Sequence, residues 1–211
     1  MPDCGGLSSV SPYSSVMSDS ERGDDAPGGP TAVVLDYLAH GRTEDDRPQY
    51  QKQPLAYALG REDFRLFEVV LAAEADVSIG DDLVIDRASD AIERTGEVEY
   101  EDLPGGAQSE LDYVVEDLVT EEERRFVDFY NDAQPITLRL HQLNLLPGIG
   151  KKLRNAILDE RKRGPFESFE DLEDRVDGLH NPREVVVERI LEEIKEDDLK
   201  YRTFARRDEA E

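Results

Sequence analysis

Leu145-Leu146-Pro147-Gly148-Ile149-Gly150-Lys151-Lys152 decides how the second half of the chain is read. A proline and two glycines interrupt an apolar stretch, and cations follow at once. Gly148 and Gly150 can take backbone angles closed to other residues and let a ligand approach the main chain. Ile149, between them, is expected to point inward and pin the turn to a core. The amides around Gly148–Lys151 then stand free at the start of the next helix. Exposed amides and the helix dipole together form an anion site. Lys151, Lys152 and Arg154 place cations in a first turn that would be stabilised by acids instead. A bound phosphate resolves that conflict.

Helical signals lie on both sides of this turn. Thr137 is placed to cap a helix over 138–145, and Gly150 opens one over 151–163 that stops at Gly164-Pro165. Ser168, with Asp171 three residues on, caps 169–176. Asn181-Pro182 is an N-cap followed by proline at the first helical position. Val187, Ile190, Leu191 and Ile194 give that last helix its apolar face. A small h-P-G-h-G turn between helices resembles a helix-hairpin-helix element. Gly164–Leu172 resembles the linker of tandem elements of this kind, and Arg175-Val176-Asp177-Gly178-Leu179 takes the place of the second hairpin. That hairpin has His180 where a second glycine belongs, so it is expected to support the fold rather than bind phosphate. Lys200–Phe204 reads as an extended segment that docks back on the body.

Further upstream the period changes. Ala107, Leu111, Val114, Val115 and Leu118 recur at helical spacing, and Thr120–Glu123 has the form of a capping box before Phe126, Val127, Phe129 and Tyr130. Residues 32–101 read as β. Val33-Val34-Leu35 opens a strand, and Leu55–Leu59 and Phe64–Ala72 flank a hairpin signal at Gly60–Asp63. A further β-rich run spans Val77–Ile85, and Val98–Tyr100 ends the segment. Short strands with tight turns point to a small closed barrel, with an open antiparallel sheet as the alternative. Residues 1 to about 30 are rich in Ser, Gly, Pro and Asp and are expected to be a disordered acidic leader, with Met17 a second candidate start. The organisation expected is leader 1–30, barrel 31–103, helical connector 104–136, helical hairpin domain 137–198 and C-terminal tail 199–211.

Charge sharpens the functional signal. The 211 residues hold 50 acids and 25 bases, a formal net charge of −25, and only 6 of the bases are Lys. Acid excess spread along a chain with few lysines is expected of a protein from a salt-in halophile. Molar salt shortens the screening length to about 3 Å, so an acidic surface stays hydrated at little repulsive cost. The excess is nevertheless uneven. Residues 1–136 carry 10 bases and 32 acids, whereas 139–163 carry 7 bases and 2 acids. A +5 window in so acidic a chain is informative.

Several chemistries find no support. One cysteine, Cys4, excludes an internal disulfide framework or thiolate zinc site, and His40, His141 and His180 lie far apart in sequence. No apolar run approaches a membrane span, and without a basic n-region followed by an apolar stretch no secretory signal is expected. Glu160-Arg161-Lys162 has the letters of a nuclease motif, but the acid required four residues after the lysine is Phe166. Glu160 and Arg163 are instead expected to form an i,i+3 pair. A helix-hairpin-helix glycosylase would need a cysteine set and a catalytic aspartate, neither of which is evident. Tyr57, Phe64 and Phe67 with Arg61 and Arg65 could form a base-stacking face, but a core position for the rings is the better reading. Arg161-Lys162-Arg163 can extend a phosphate track or balance a helix C-terminus.

The chain also resembles the archaeal domain-of-unknown-function family 655. The likeness covers about residues 32–205. It is carried by Pro135–Leu143 running into Leu145–Lys152, with Val34–Leu38, Phe126–Asn131, Glu160–Lys162, Phe166–Asp171 and Val187–Ile190. The acidic leader is not part of the family pattern. The resemblance implies an α+β protein, an OB-like antiparallel β-barrel followed by an all-α helix-hairpin-helix domain, that binds nucleotides or RNA. It also implies a setting among ribosomal and RNA-modification proteins, the candidate protein partners.

The sequence is therefore read as that of a cytoplasmic, monomeric, non-catalytic nucleic-acid-binding protein without cofactor or metal, with RNA favoured over DNA. Pro147, Gly148, Ile149, Gly150, Lys151, Lys152 and Arg154, with Arg139 and His141, are the expected contacts. The alternative is a protein-interaction adaptor whose hairpin is purely structural.

Overall fold

In the computed structural model, residues 29–42, 48, 52–85 and 91–206 are described. Cys4, Met17 and nearly all of the expected leader lie outside them. The fold is α+β. Five antiparallel strands, β1 (Thr31–Leu38), β2 (Leu55–Gly60), β3 (Leu66–Leu71), β4 (Asp82–Val84) and β5 (Ile92–Glu97), pair in the order β4-β1-β2-β3-β5. Valine, leucine and aromatic residues favour the pleated backbone of β1 to β3. Alternation then gives the sheet two apolar faces. Val33, Leu35, Leu55, Tyr57, Leu59 and Leu66 face the helices. Ala32, Val34, Ala56, Ala58, Phe67, Val69, Leu71 and Ile92 form a second cluster on the other face. Its alanines lie on neighbouring β1 and β2, where small side chains let the sheet curl into a half-barrel. No ladder joins β4 to β5 among the described residues, so the expected closure is not made there.

Three sequence expectations change in the sheet. The strand expected from Phe64 starts at Leu66, because Phe64 has φ +53° and completes the turn. Of Val77–Ile85, only Asp82–Val84 pairs as a strand. Gly80 at φ +87° and the Asp81 carboxylate, which accepts from the Ser78 amide at 2.8 Å, fold the preceding residues into a turn. The last strand is Ile92–Glu97 rather than Val98–Tyr100. It lies at the sheet edge with little buried surface, so a mostly polar sequence suffices and hides it from pattern reading.

Helix α1 (Gly105–Glu121) buries Ala107, Leu111, Val114, Val115 and Leu118, as their spacing predicts, and α2 (Glu123–Asp132) buries Phe126, Val127 and Tyr130. The expected capping box between them does not form. The Thr120 hydroxyl donates back to the Glu116 carbonyl at 2.8 Å, and the Glu123 carboxylate accepts from the Phe169 amide at 2.7 Å. Three further helices follow, α3 (Lys151–Arg161), α4 (Phe169–Arg175) and α5 (Pro182–Lys195). Ser168 caps α4 through the Asp171 amide, and Pro182 is the first residue of α5. No helix over 138–145 exists. Residues Gln142–Leu145 make one 3-10 turn capped by His141, while the Thr137 hydroxyl is taken by the amides of Arg139 and Leu140.

One apolar core runs from the sheet through α1 and α2 to Leu143, Ile157, Leu172 and Ile190. Arg125 of α2 donates to the main-chain carbonyls of Arg61 and Glu62, and Arg61 pairs with Asp82 and Glu121. The β2–β3 turn is thus tied to the helices. The C-terminal segment docks as well. Phe204 packs on Phe129 and Phe126, with centroids 5.0 and 5.8 Å away, and the Arg206 amide donates to Asp63 at 2.8 Å.

Candidate nucleic-acid interface

The turn between the 3-10 segment and α3 is built from main-chain and side-chain bonds that leave one set of donors over. Leu146 and Ile149 are buried and anchor it. The Ile149 amide donates to the Leu146 carbonyl at 3.2 Å, and the Gly150 amide to Gly148 at 3.1 Å. Gly148 has φ +75°, so it performs the left-handed turn expected of it. Gly150 does not need that freedom. Its φ of −78° and ψ of −179° are extended, and a Cβ there would meet nothing within 4 Å. Its lack of a side chain keeps the mouth of α3 open.

Gly150 is the N-cap of α3 and offers no side-chain acceptor. The Arg154 amide bonds to the Gly150 carbonyl at 3.0 Å. The amides of Lys151, Lys152 and Leu153, one turn earlier, find no acceptor among the described residues. The first turn of α3 has no acid, whereas α4 and α5 have Glu170, Asp171 and Glu184 in theirs. Lys151 and Lys152 are exposed and form no ion pair among the described residues, and the same holds for Arg139. Lys151, Arg139 and Arg154 line one open depression with Leu138, Leu140 and Asn144. Pro147, Gly148 and Gly150 line the adjoining one.

The other expected contacts have different work. Arg154 donates from Nη1 to Asn144 Oδ1 at 3.1 Å and turns Nε and Nη2 to Asn155 Oδ1. It braces the turn and leaves only part of its guanidinium to the depression. His141 is buried, and its Nδ1 accepts from the Leu143 amide at 3.2 Å, so it is a cap and not a phosphate ligand through that atom. Arg161 donates to the carbonyls of Tyr130, Asn131 and Ala133 at the end of α2. Lys162 pairs with Asp159 and Arg163 with Glu160, the latter as its spacing predicts, so each base of the triplet has a partner within the protein. Tyr57, Phe64 and Phe67 are buried, and Arg61 and Arg65 are ion-paired, which closes that surface to base stacking.

Sequence reading passed over Asn144. Its side-chain amide donates to the Ile149 carbonyl at 2.9 Å while its oxygen accepts from Arg154, so it joins the turn to α3. The available signal is its place as the single polar residue in Leu143-Asn144-Leu145-Leu146.

Burial, then the charges of Arg161 and Arg154, lower the His141 pKa below its ordinary 6.5. Protonation would also cost Nδ1 its acceptor role. The folded state therefore takes up the proton less readily than the unfolded chain. The contribution is complete above about pH 6.5 and is lost as pH falls below that value. In His141→Asn, which keeps an N-cap acceptor, thermal unfolding followed between about pH 5 and about pH 7.5 should show a flatter stability profile than wild type.

The segment before α5 repeats the geometry of the candidate site but not its chemistry. Gly178 has φ +88°, Leu179 is buried, and the Leu179 amide donates to Val176 at 3.1 Å, matching Gly148, Ile149 and Leu146. One more residue then intervenes, and the N-cap is Asn181 at φ +48°. Pro182 removes an amide, and Glu184 bonds the Asn181 side chain at 3.1 Å. Among the described residues the first turn leaves three helix amides without an acceptor and has no acid in its first helical turn, whereas its counterpart leaves two and has Glu184.

Among the described residues, no group of three or more His, Cys, Asp or Glu side chains could hold a metal, and no helix is long and apolar enough to cross a membrane. The family described as Protein of unknown function (DUF655) matches residues 29–206. The chain belongs to that family. It is 39% identical over 178 residues to the uncharacterized protein MJ0038 of Methanocaldococcus jannaschii, covering 83% of this chain and 79% of that one. It is also similar to the crystal structure of Af1531 from Archaeoglobus fulgidus, itself a member of this family. The TM-score is 0.75 at 40% identity, over 84% of this chain and 99% of the other.

Proposed function

We propose that this family member is a non-catalytic, cytoplasmic nucleic-acid-binding protein that grips backbone phosphate at the Pro147–Lys152 turn, with RNA or a ribosomal assembly favoured over DNA. The observation that carries the reading is the contrast between the two turns. Both have the same glycine conformation and the same buried anchor, yet among the described residues the first keeps three open amides and two lysines without an ion pair, where the second keeps two open amides beside an acid. In this reading the turns are the hairpins of a tandem helix-hairpin-helix domain. The five-stranded sheet with one unpaired seam is a partly open barrel of the OB type. Phosphate contacts of this kind fix position without reading sequence, so selectivity comes from the shape of the nucleic acid.

The acid excess belongs to a halophilic setting, and binding is therefore to be measured in molar KCl. Counter-ion release weakens there, so directional amide contacts count for more than lysine charge. Gly150→Val fits the extended backbone and adds a branched side chain at the N-cap, directly before the open amides. It should fold as wild type and lose RNA affinity about fivefold, a fraction of the worth of a charged hydrogen bond. Unchanged RNA and DNA affinity in a folded Gly150→Val protein, together with a pull-down whose partners survive nuclease, would replace this reading by the adaptor one.

A further inference from the structure

Leu138 has no place in the phosphate contact, yet it stands beside it. It is the most exposed large apolar residue among those described, at 106% of its reference area. Its exposure is not that of a loose loop. Pro135 and His141 pair as an antiparallel bridge, and the amides of Ile136 and Thr137 both donate to the Leu140 carbonyl, at 2.9 and 3.0 Å. The Thr137 hydroxyl accepts from Arg139 and Leu140, and the Gln142 amide donates to Gln134. Leu138 is thus held at the tip of a cross-braced turn, with Arg139, Lys151 and Arg154 around the depression it borders.

A rigidly projected leucine gains nothing from water, and its surroundings select the partner. Cations and open amides on the same face match a polyanion. The leucine projects from the surface, so the partner must supply the recess. Leucine is one of the apolar residues that enter the minor groove and separate base steps, whereas binding to single strands relies on aromatic platforms. We propose that Leu138 is an apolar wedge. It enters the minor groove of a double-stranded nucleic acid whose phosphate is held at the Lys151–Leu153 amides. This deepens the phosphate-binding reading above and rests on it.

The experiment uses the full chain in molar KCl, with a duplex carrying 2-aminopurine at one step and with the labelled single strand alone, in RNA and DNA forms. Leu138→Ala should leave the unfolding temperature unchanged, since the side chain touches nothing. It should weaken duplex binding about fivefold, from lost apolar burial, and single-strand binding by less than about twofold. Wild type should brighten 2-aminopurine in the duplex by unstacking it, and Leu138→Ala should not. Equal losses on both substrates, or wild-type duplex affinity and brightening in Leu138→Ala, overturn the wedge. If Gly150→Val still weakens binding in that case, the phosphate site stands without it. If neither substrate binds wild type, the wedge and the phosphate reading fail together.

Discussion

Glu193→Ala should lower the unfolding temperature by about 10 °C, the largest effect expected of any single side chain outside the apolar core. Glu193 is fully buried. One carboxylate oxygen accepts from Arg189 Nε at 2.7 Å and the Thr203 amide at 2.8 Å. The other accepts from the amides of Phe204 and Ala205 at 2.8 and 2.9 Å. All four partners are donors, shared two to each carboxylate oxygen. Removing it leaves Arg189 Nε and three amides unsatisfied, while the rest of the guanidinium keeps the Glu192 carboxylate and the Tyr201 carbonyl. Breaking a buried pair in this way costs about 3–5 kcal/mol, and each kcal/mol moves the midpoint of a chain this size by about 2–4 °C.

Glu193→Gln separates shape from chemistry. It has the same outline but turns an NH2 group toward amides, and it should lose nearly as much. Arg189→Met in the Glu193→Ala background should recover at most the part due to the unpaired Nε, since it also gives up the Glu192 and Tyr201 contacts, and none of the part due to the amides. Limited proteolysis supplies a second readout. The segment Tyr201–Ala205 is held to α5 by three amides on this carboxylate, by Arg189 on the Tyr201 carbonyl and by Arg202 on the carbonyls of Glu193, Glu196 and Asp197, so loss of the carboxylate should accelerate cleavage there before global unfolding. A Glu193→Ala protein as stable and as protease-resistant as wild type would falsify the latch.

This latch also shows where sequence reading stops. The docking of Lys200–Phe204 was legible, because Tyr201 and Phe204 are apolar residues in an otherwise polar end. The device was not, since Glu193 looks like any other acid in Leu191-Glu192-Glu193-Ile194. Local signals carried well where they were periodic or steric. The apolar faces of α1, α2 and α5, the Ser168 cap and Pro182 at a helix start all follow from neighbours in sequence. Signals failed where a distant group outbid the local one. Glu123 leaves the expected capping box for the Phe169 amide 46 residues away, and Thr137 closes a tight turn instead of capping a helix. At the candidate site the residues were legible and their division of labour was not. Nothing in the sequence distinguishes Arg154, braced on Asn144, from Lys151, which forms no ion pair among the described residues.

That division of labour gives the second large effect. Lys151→Pro should weaken nucleic-acid binding in molar KCl by one to two orders of magnitude while leaving the fold intact, whereas Lys151→Gln should cost only about twofold. Both substitutions remove the same charge. Only proline also removes the amide at the first position of α3, one of three that find no acceptor among the described residues. The fold should tolerate it, because that position takes no part in the i to i−4 ladder and favours proline. Gly150 before it is already extended, as a residue preceding proline prefers. The protein contains its own control in α5, which begins with Pro182 after a turn of the same form. Charged hydrogen bonds are worth about 1.5–3 kcal/mol, or roughly ten- to hundredfold in affinity. Screened lysine charge contributes much less at that salt concentration. Titrations of the three proteins against one duplex RNA therefore separate directional binding from charge attraction. If Gln and Pro weaken binding equally, the lysines act as charges and the amides at the helix start do not hold phosphate.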